Sequence, residues 1–372
     1  MSKMNLKKSY WILFAVLCTQ VSNSVYSQQD EHPVWKAVKK QKATLGLAEG
    51  AKNFTLQKLN VSILNASQTL SSLRPGSGEN GFDYTPVELL SKRDRNQFFH
   101  IGDINISLRR RGDTAWTAYS SATDRRQVKA LSPAKNSLAS ADISPTLSNI
   151  PLKVVRNWQD DQGNLILSFD ISNPNDYPVE IGSLGVPLPF NNNMDWKNLD
   201  QAHAQNVFFD PYIGQDAGYL QVNRLHGNAP SLLVLPYKNA GFEAYNPLNT
   251  DPTPRSITFE GFHEWVIHSK AHTETDWKGV EQWNAATSTL LQPHESKTYA
   301  LKFVLPPSIR EIESELLKNN RPVAVGAPGY VVPMDNPVKL FVKHNKAVKS
   351  VNVYPEGALT LTQKGSTPHK WI

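Results

Sequence analysis

The sequence LKVVRNWQDDQGNLILSFDI, residues 152–171, contains two apolar, β-branched runs, Leu152–Val155 and Leu165–Ile171. The residues Asp161–Asn164 between them are Asp, Gln, Gly and Asn, which favour a turn, so the stretch predicts a β-hairpin. Short runs of the same kind recur along the rest of the chain without a repeat of fixed period. The sequence therefore predicts an all-β fold, a large antiparallel β-sandwich of two twisted sheets.

One segment departs from the strand pattern. In Ile309–Lys318 (IREIESELLK) the apolar residues recur at helical spacing, and Ser308 precedes them with Glu311 three residues later. This arrangement is typical of a capping box, so we expect one short amphipathic helix of about three turns. Residues Ala122–Ser148 are rich in Ser, Ala, Lys and Pro, and we interpret them as an excursion between strands.

The composition excludes several classes of protein. The 372 residues are 40% hydrophobic and 19% charged, with 25 Pro, 20 Gly and one Cys, unlike a collagenous, coiled-coil, disulfide-rich or wholly disordered chain. The formal net charge is +6, but the only short basic cluster is Arg109–Arg111, so we expect no nucleic-acid partner. We also expect no membrane span, because no apolar run is long enough.

Residues 1–27 have the features of a secretory signal peptide. Three lysines lie in the first eight residues, Trp11–Cys18 is an apolar stretch too short to span a bilayer, and Ser27 offers a small residue for cleavage. A lipoprotein would need a small residue before Cys18, where Leu17 stands, and a buried N-terminal strand would not explain the basic start. The remaining chain would carry 36 basic and 33 acidic residues and no thiol. We expect a secreted or periplasmic protein.

The C-terminal residues predict an incomplete domain. Val348–Val353, the turn Pro355–Gly357 and Ala358–Thr362 are expected to form a hairpin, whereas Gln363–Ile372 offers neither a closing strand nor a helix. Domains usually end by docking a last element. We therefore expect residues 28–372 to be one β-sandwich domain, truncated before a further domain; a natural terminus is the alternative.

Most catalytic signatures are absent. The sequence has no Gly-x-Ser-x-Gly elbow, phosphate loop, Gly-x-Gly-x-x-Gly motif or His-Glu-x-x-His motif, so we expect no cofactor. Three histidines, His263, His268 and His272, are separated by five and four residues, which does not place them on one face of a strand. Asp160–Asn164 lacks the bidentate Glu of a calcium loop. We expect no metal site.

Residues 261–284, GFHEWVIHSKAHTETDWKGVEQWN, combine aromatic, imidazole and carboxylate groups. A sugar ring presents an apolar face and a rim of hydroxyls, so a protein that binds it needs flat aromatic platforms beside hydrogen-bonding groups. The alternative is that the tryptophans are core residues or loop anchors. The substrate-binding candidates are Trp265, Trp277, Trp283, Glu264, Asp276 and His268.

Carboxyl groups in this segment also raise the question of catalysis. Glycosidic cleavage uses two carboxyl groups that face one cleft, one of which retains its proton. Glu264, Asp276 and Glu281 are the candidates, and the alternative for each is a solvated loop acid. The sequence does not pair them, so the catalytic residues stay unassigned.

Several motifs together resemble a known family. The chain is similar to the N-terminal β-sandwich of large secreted bacterial and fungal proteins described as six-hairpin glycosidase-like, the DUF5695 type. The resemblance covers most of residues 28–372. It rests on FDYTP at Phe82–Pro86, HIGDIN at His100–Asn105 with Arg109, Glu264–Ala271 continuing to Asp276-Trp277, Val325–Tyr330, and Lys339–Phe341.

The resemblance implies a galactose-mutarotase-like sandwich followed, in a full protein, by a helical toroid of six α-hairpins that usually carries the acid and base. It therefore implies a glycoside-hydrolase-like protein that acts on polysaccharide, of which this chain is a part that is inactive alone. Two alternatives remain: a non-catalytic carbohydrate-binding module and a structural protein of the envelope. The sequence indicates neither the sugar nor the linkage.

The signal peptide gives the first testable prediction. Protein recovered from the envelope fraction should have the intact mass of a chain that begins at Gln28, because a signal peptidase would remove the preceding segment. Intact-mass spectrometry measures this directly. A mass that includes Met1 in exported protein would contradict the assignment.

Overall fold

A computed structural model describes residues 32–77, 81–132, 136–194, 197–227, 230–255, 260–329, 331–366 and 369–371, with the backbone alone for 363–366 and 369–371. The predicted signal peptide and the predicted strand at 256–259 lie outside these residues. The chain divides into two compact units, residues 1–41 and 42–372. In the first, the described residues contain helix α1, Pro33–Val38.

The described part of the larger unit consists mainly of strands. In chain order they are β1 (Ala51–Thr55), β2 (Leu59–Leu64), β3 (Leu70–Pro75), β4 (Asn105–Arg110), β5 (Thr117–Ser120), β6 (Lys129–Ala130), β7 (Ser137–Asp142), β8 (Lys153–Asp161), β9 (Asn164–Ser172), β10 (Val179–Leu188), β11 (Val207–Tyr212), β12 (Tyr219–Arg224), β13 (Leu232–Lys238), β14 (Ala244–Pro247), β15 (His263–His268), β16 (Thr289–Leu291), β17 (Ser296–Val304), β18 (Val323–Ala327), β19 (Lys339–Lys343), β20 (Gln363–Ser366) and β21 (His369–Trp371).

Three short α-helices interrupt the strands. They are α2 (Leu199–Gln205), α3 (Lys270–Glu274) and α4 (Ile312–Lys318), and single 3₁₀ turns occur at Leu47–Glu49, Val87–Leu89, Ser144–Thr146 and Ile309–Glu311. None of the helices in the described ranges is long and apolar enough to cross a membrane.

The strands form two large antiparallel sheets and two small ones. The first large sheet has six strands in the order β14-β15-β10-β4-β5, with β16 also paired to β10. The second has eight strands in the order β11-β12-β13-β17-β9-β8-β7-β6. The small sheets are β1-β2-β3 and β18-β19-β21-β20. The predicted hairpin at residues 152–171 is the β8-β9 pair, in register from Lys153↔Ser172 to Asp161↔Asn164.

Both large sheets contribute one face to a common core. Ile106 of β4 and Val186 of β10 belong to the same buried cluster as Phe169 of β9 and Leu301 of β17. Because side chains alternate across a strand, the neighbours of these residues point to the opposite faces. The all-β antiparallel sandwich predicted from the sequence is confirmed.

The outer face of the eight-stranded sheet is partly covered by α4. On β13, Leu232 and Val234 face the core between the sheets, whereas Leu233 and Leu235 join a second buried cluster with Leu316 of α4. Successive residues of one strand are therefore buried on both faces, and this requires an apolar helix over the outer one.

The predicted helix is present but begins differently. Residues Ile309–Glu311 form a 3₁₀ turn, and α4 proper begins at Ile312. The Ser308 side chain makes no capping hydrogen bond, and Ile309 is 54% exposed, so the expected capping box does not form. The apolar stripe that packs on the sheet starts one turn later than the sequence pattern indicated.

Two local predictions were wrong. The excursion expected at Ala122–Ser148 contains edge strands β6 and β7, because the alternation of Ser137–Asp142 allows pairing with β8. At the C-terminal end, Val348–Val353 and Ala358–Thr362 do not form a hairpin; instead β21 pairs with both β19 and β20. Strand formation depends on an available partner edge, which local composition does not show.

Candidate carbohydrate-binding cleft

The outer face of the six-stranded sheet carries polar side chains and forms the base of a cleft of about 820 Å³. On β4, Ile106 faces the core and Asn105 and Ser107 face the cleft; on β15, Trp265 faces the core and Glu264 faces the cleft. The two large sheets thus differ in their outer faces. One is apolar and covered, and the other is polar and open.

Glu264 is fixed at the base of the cleft by two amides. Asn105 Nδ2 donates to Glu264 Oε2 at 2.6 Å, and Asn246 Nδ2 donates to Glu264 Oε1 at 3.1 Å. The carboxylate lies over Gly185 of β10, where a Cβ atom would be 2.2 Å from Oε2. Glycine at this position makes room for the carboxylate, and the two asparagines hold it in one orientation.

Trp277 and its neighbours form one side of the cleft. The Trp277 ring stacks on the His272 ring with centroids 4.5 Å apart and planes 22° apart, and Trp277 N–H donates to His272 O at 2.8 Å. Both residues line the cleft, as do the exposed Asp276 and the half-buried Tyr119 of β5. A partly buried indole with a fixed orientation beside polar groups can serve as a platform for a sugar ring.

A network of charges and rings holds α3 against the sheet. Arg109 of β4 contacts Glu180 of β10 through Nε at 2.9 Å and Glu274 of α3 through Nη1 at 3.0 Å. The Arg109 guanidinium lies 3.8 Å from the ring centre of Trp116, whose Nε1 donates to Glu274 at 2.8 Å. Lys270 Nζ contacts Glu180 at 2.9 Å. These contacts connect the segment that carries Trp277 to β4 and β10.

The acid at the centre of this network is strongly stabilised as the carboxylate. Partial burial alone would raise the pKa of Glu180, but hydrogen bonds from Lys270, Ser288 and Arg109 outweigh it and lower the pKa to about 2. Glu180 therefore remains ionised throughout the ordinary pH range and keeps both cations paired.

A second, shallower groove of about 260 Å³ adjoins the cleft. It shares Asn246 and Trp277 with the cleft and extends to Tyr245 and Trp283. Trp283 is 84% exposed. The two depressions therefore form a continuous surface with an indole at their junction and another at the far end.

The six residues singled out from the sequence separate into two groups. Glu264, Asp276 and Trp277 line the cleft, and Trp283 lines the adjoining groove. Trp265 and His268 belong to the interior, where neither can meet a ligand. Trp265 is fully buried and stacks on Phe242 at 3.7 Å.

His268 has a structural environment. Its ring nitrogens contact Thr287 Oγ1 at 2.7 Å and Tyr299 OH at 3.1 Å. Burial, with a smaller effect of Lys297, lowers the pKa of His268 to about 4, so the ring is neutral near pH 7. Its alternation with Glu264 along β15 follows the core-facing pattern of that strand.

Asn105, Asn246 and Tyr119 were missed by the sequence reading. The signal for Asn105 was the alternation N-I-S-L in β4, in which the polar residues at every second position mark an outward face. Asn246 lies on the edge strand β14 next to β15, and nothing in the local sequence indicates that pairing.

The polar residues in two of the family-like motifs are structural. The Asp83 carboxylate accepts hydrogen bonds from Leu73 N at 3.0 Å and Thr85 N at 2.9 Å and fixes a turn. Asp103 is buried and pairs with Arg125. Burial alone would raise the pKa of Asp103, but the Arg125 guanidinium outweighs it and holds the pKa below its usual range.

The described residues contain no group of three or more His, Cys, Asp or Glu side chains placed to hold a metal ion.

Comparison with known proteins identifies the family and the architecture. Residues 62–372 match the family of unknown function DUF5695, and the chain belongs to that family. No curated protein matches the sequence.

Among solved structures, a polysaccharide lyase superposes with a TM-score of 0.61 at 13% identity, over 87% of this chain and 42% of the lyase. A galactose mutarotase-like protein from Lactobacillus casei ATCC 334 has a TM-score of 0.41 at 11% identity, over 69% of this chain and 100% of its own. Heparinase III has a TM-score of 0.32 at 11% identity, over 80% and 41%. The lyase shares the fold, and this chain spans about two fifths of its length.

The charge network predicts a pH-dependent contribution to stability. Glu180→Gln should lower the free energy of unfolding by about 1–2 kcal/mol at neutral pH, because Arg109 and Lys270 lose their shared carboxylate. The pKa of Glu180 is about 2 in the folded chain, against 4.5 for an ordinary glutamate, so this contribution is complete above pH 4.5 and lost as the pH falls towards 2.

Urea unfolding of both proteins at several pH values measures this. The difference between wild type and variant should narrow as the pH falls through that window. The matched control is Glu356→Gln, which alters an exposed glutamate and should leave stability unchanged. A difference that stays constant down to pH 2 would show that Glu180 does not act through its charge.

Proposed function

We propose that this chain is the carbohydrate-binding β-sandwich part of an exported, glycoside-hydrolase-like protein that acts on polysaccharide, and that it does not cleave glycans alone. The observation that carries the proposal is the cleft in which Trp277 stands beside a Glu264 carboxylate fixed by two amides. An apolar ring face and oriented hydrogen-bond acceptors are the two features that a sugar requires.

The size and continuity of the surface support a polymer as ligand. The main cleft is within the volume range of ordinary small-molecule sites, and the groove towards Trp283 extends it in one direction. A chain of sugars that stacks on Trp277 would therefore reach Trp283 with its next units.

The arrangement of the carboxyl groups supports a binding role for this chain. The Glu264 oxygens each accept a hydrogen bond from an amide, which suits a fixed acceptor. Asp276 is exposed next to the end of α3, whereas glycosidic cleavage needs a shielded acid on a rigid element at a defined distance from its partner. We propose that the reacting pair belongs to a further, helical domain, in keeping with the fraction of the lyase that this chain spans.

A non-catalytic binding module is the second candidate. The residues that form the cleft and the adjoining groove all come from this chain, so the binding surface is complete without another domain.

Substitution of the two exposed-face tryptophans tests the binding surface. Trp277→Ala should weaken binding of any recognised oligosaccharide by roughly 30-fold, about 2 kcal/mol, because a buried aromatic anchor is lost. Trp283→Ala should weaken binding only of oligosaccharides long enough to reach the groove. Isothermal titration with a ladder of chain lengths measures both effects.

The control for this experiment is Tyr237→Ala, which removes a 45% exposed ring on β13 of the other sheet and should leave affinity unchanged. Equal losses for Trp277→Ala and Tyr237→Ala would place the binding surface elsewhere.

The purified chain should release no product from any glycan. A broad screen for new reducing ends, and for the ultraviolet absorbance of unsaturated products, measures hydrolysis and elimination together. Turnover that disappears in Glu264→Gln or Asp276→Asn would show that the sandwich is itself the enzyme and that the active site lies in this cleft.

A further inference from the structure

The polar groups of the cleft are mainly hydrogen-bond acceptors. Glu264 and Asp276 contribute carboxylates, and no lysine or arginine occurs among the described residues that line the cleft. Asn105 Nδ2 is engaged with Glu264, whereas Asn105 Oδ1 is buried and accepts no hydrogen bond from the described residues. The cleft therefore offers oxygen atoms to a ligand and few charged donors.

The adjoining groove has the same character. Glu243 and Glu281 lie along it, again without a lysine or arginine among its described lining residues. Glu243 already accepts hydrogen bonds from Ser269 and Thr287, and Glu281 is exposed. The whole surface from Glu264 to Trp283 is thus negative.

Nearby cations do not offset this charge. Arg109 and Lys270 stand beside the cleft, but both are paired with Glu180, and Arg109 is paired with Glu274 as well. Neither residue lines the cleft. A ligand carboxylate or sulfate would meet fixed acceptors, with no unpaired cation among the lining residues to receive it.

We propose that the cleft selects a neutral or amino-sugar polysaccharide and excludes polymers that carry carboxylate or sulfate groups. This rests on the proposed carbohydrate-binding function and adds its substrate class. Sugar hydroxyls, or a protonated amine, donate to Glu264, to the free Asn105 Oδ1 and to Asp276. An anionic group in the same place would be desolvated without a donor and repelled by the carboxylates, and both costs discriminate against it.

The test compares retention of the full chain in affinity gels that contain one polymer each. The polymers are a neutral glucomannan, chitosan at a pH where its amines are protonated, polygalacturonate and heparin. We expect retention by glucomannan or chitosan and none by the two polyanions. Retention by chitosan should weaken with added salt, because opposite charges are then screened.

One substitution tests the electrostatic cause. Asp276→Asn keeps the shape of an exposed side chain and removes one charge, so polygalacturonate affinity should rise by on the order of fivefold, as expected for about 1 kcal/mol between charges in water. The control is Asp113→Asn, an exposed aspartate that does not line the cleft and should change nothing.

The outcomes separate this inference from the proposed function. Stronger retention by polygalacturonate or heparin than by the neutral and amino polymers would overturn the inference while leaving carbohydrate binding intact. Retention by polygalacturonate only when calcium is added would also overturn it, because the carboxylates would then hold a bridging cation. Retention by none of the four polymers would contradict the proposed function itself, and the inference with it.

Discussion

The cleft depends on the absence of side chains at two positions of β10. A Cβ atom at Gly182 would lie 2.2 Å from the ring of Trp116, and one at Gly185 would lie 2.2 Å from the Glu264 carboxylate. Register shifts next to both glycines, between Ile181 and Ser183 and between Leu184 and Gly185, keep the large residues of the strand towards the core. Any larger residue at either glycine would displace a group on the outer face, which is why this strand carries glycine there.

The two glycines support different parts of one arrangement. Above Gly185, the Glu264 carboxylate can approach the sheet closely enough for Asn105 and Asn246, from strands on either side, to donate to it. Above Gly182, Trp116 lies flat enough to cover the Arg109 guanidinium. Arg109 then reaches Glu274 and fixes α3, and the Trp277 ring follows directly from α3. The electrostatic network therefore orients an aromatic group that it does not touch.

The sequence was sufficient for the fold but only partly for the site. The β8-β9 hairpin was readable because its apolar runs and its turn lie within twenty residues. In residues 261–284 the aromatic and acidic groups were treated as one set, although strand alternation sends Glu264 to the cleft and Trp265 to the core. The reading could not find Asn105, because its contact with Glu264 joins residues 159 positions apart through the pairing of β10 with both β4 and β15.

The location of the cleft also follows from a difference between the two outer faces of the sandwich. On β13 the outward residues Leu233 and Leu235 are apolar and must be covered, and α4 covers them with Leu316. On β4 the outward residues Asn105 and Ser107 are polar, so they stay stable in contact with water and need no cover. A ligand that replaces this water must supply hydrogen bonds of the same kind, or the buried acceptors lose more than they gain. Since the acceptors at the base are a carboxylate and an amide oxygen, a ligand rich in hydroxyl or amine donors can make that exchange, and an anion cannot.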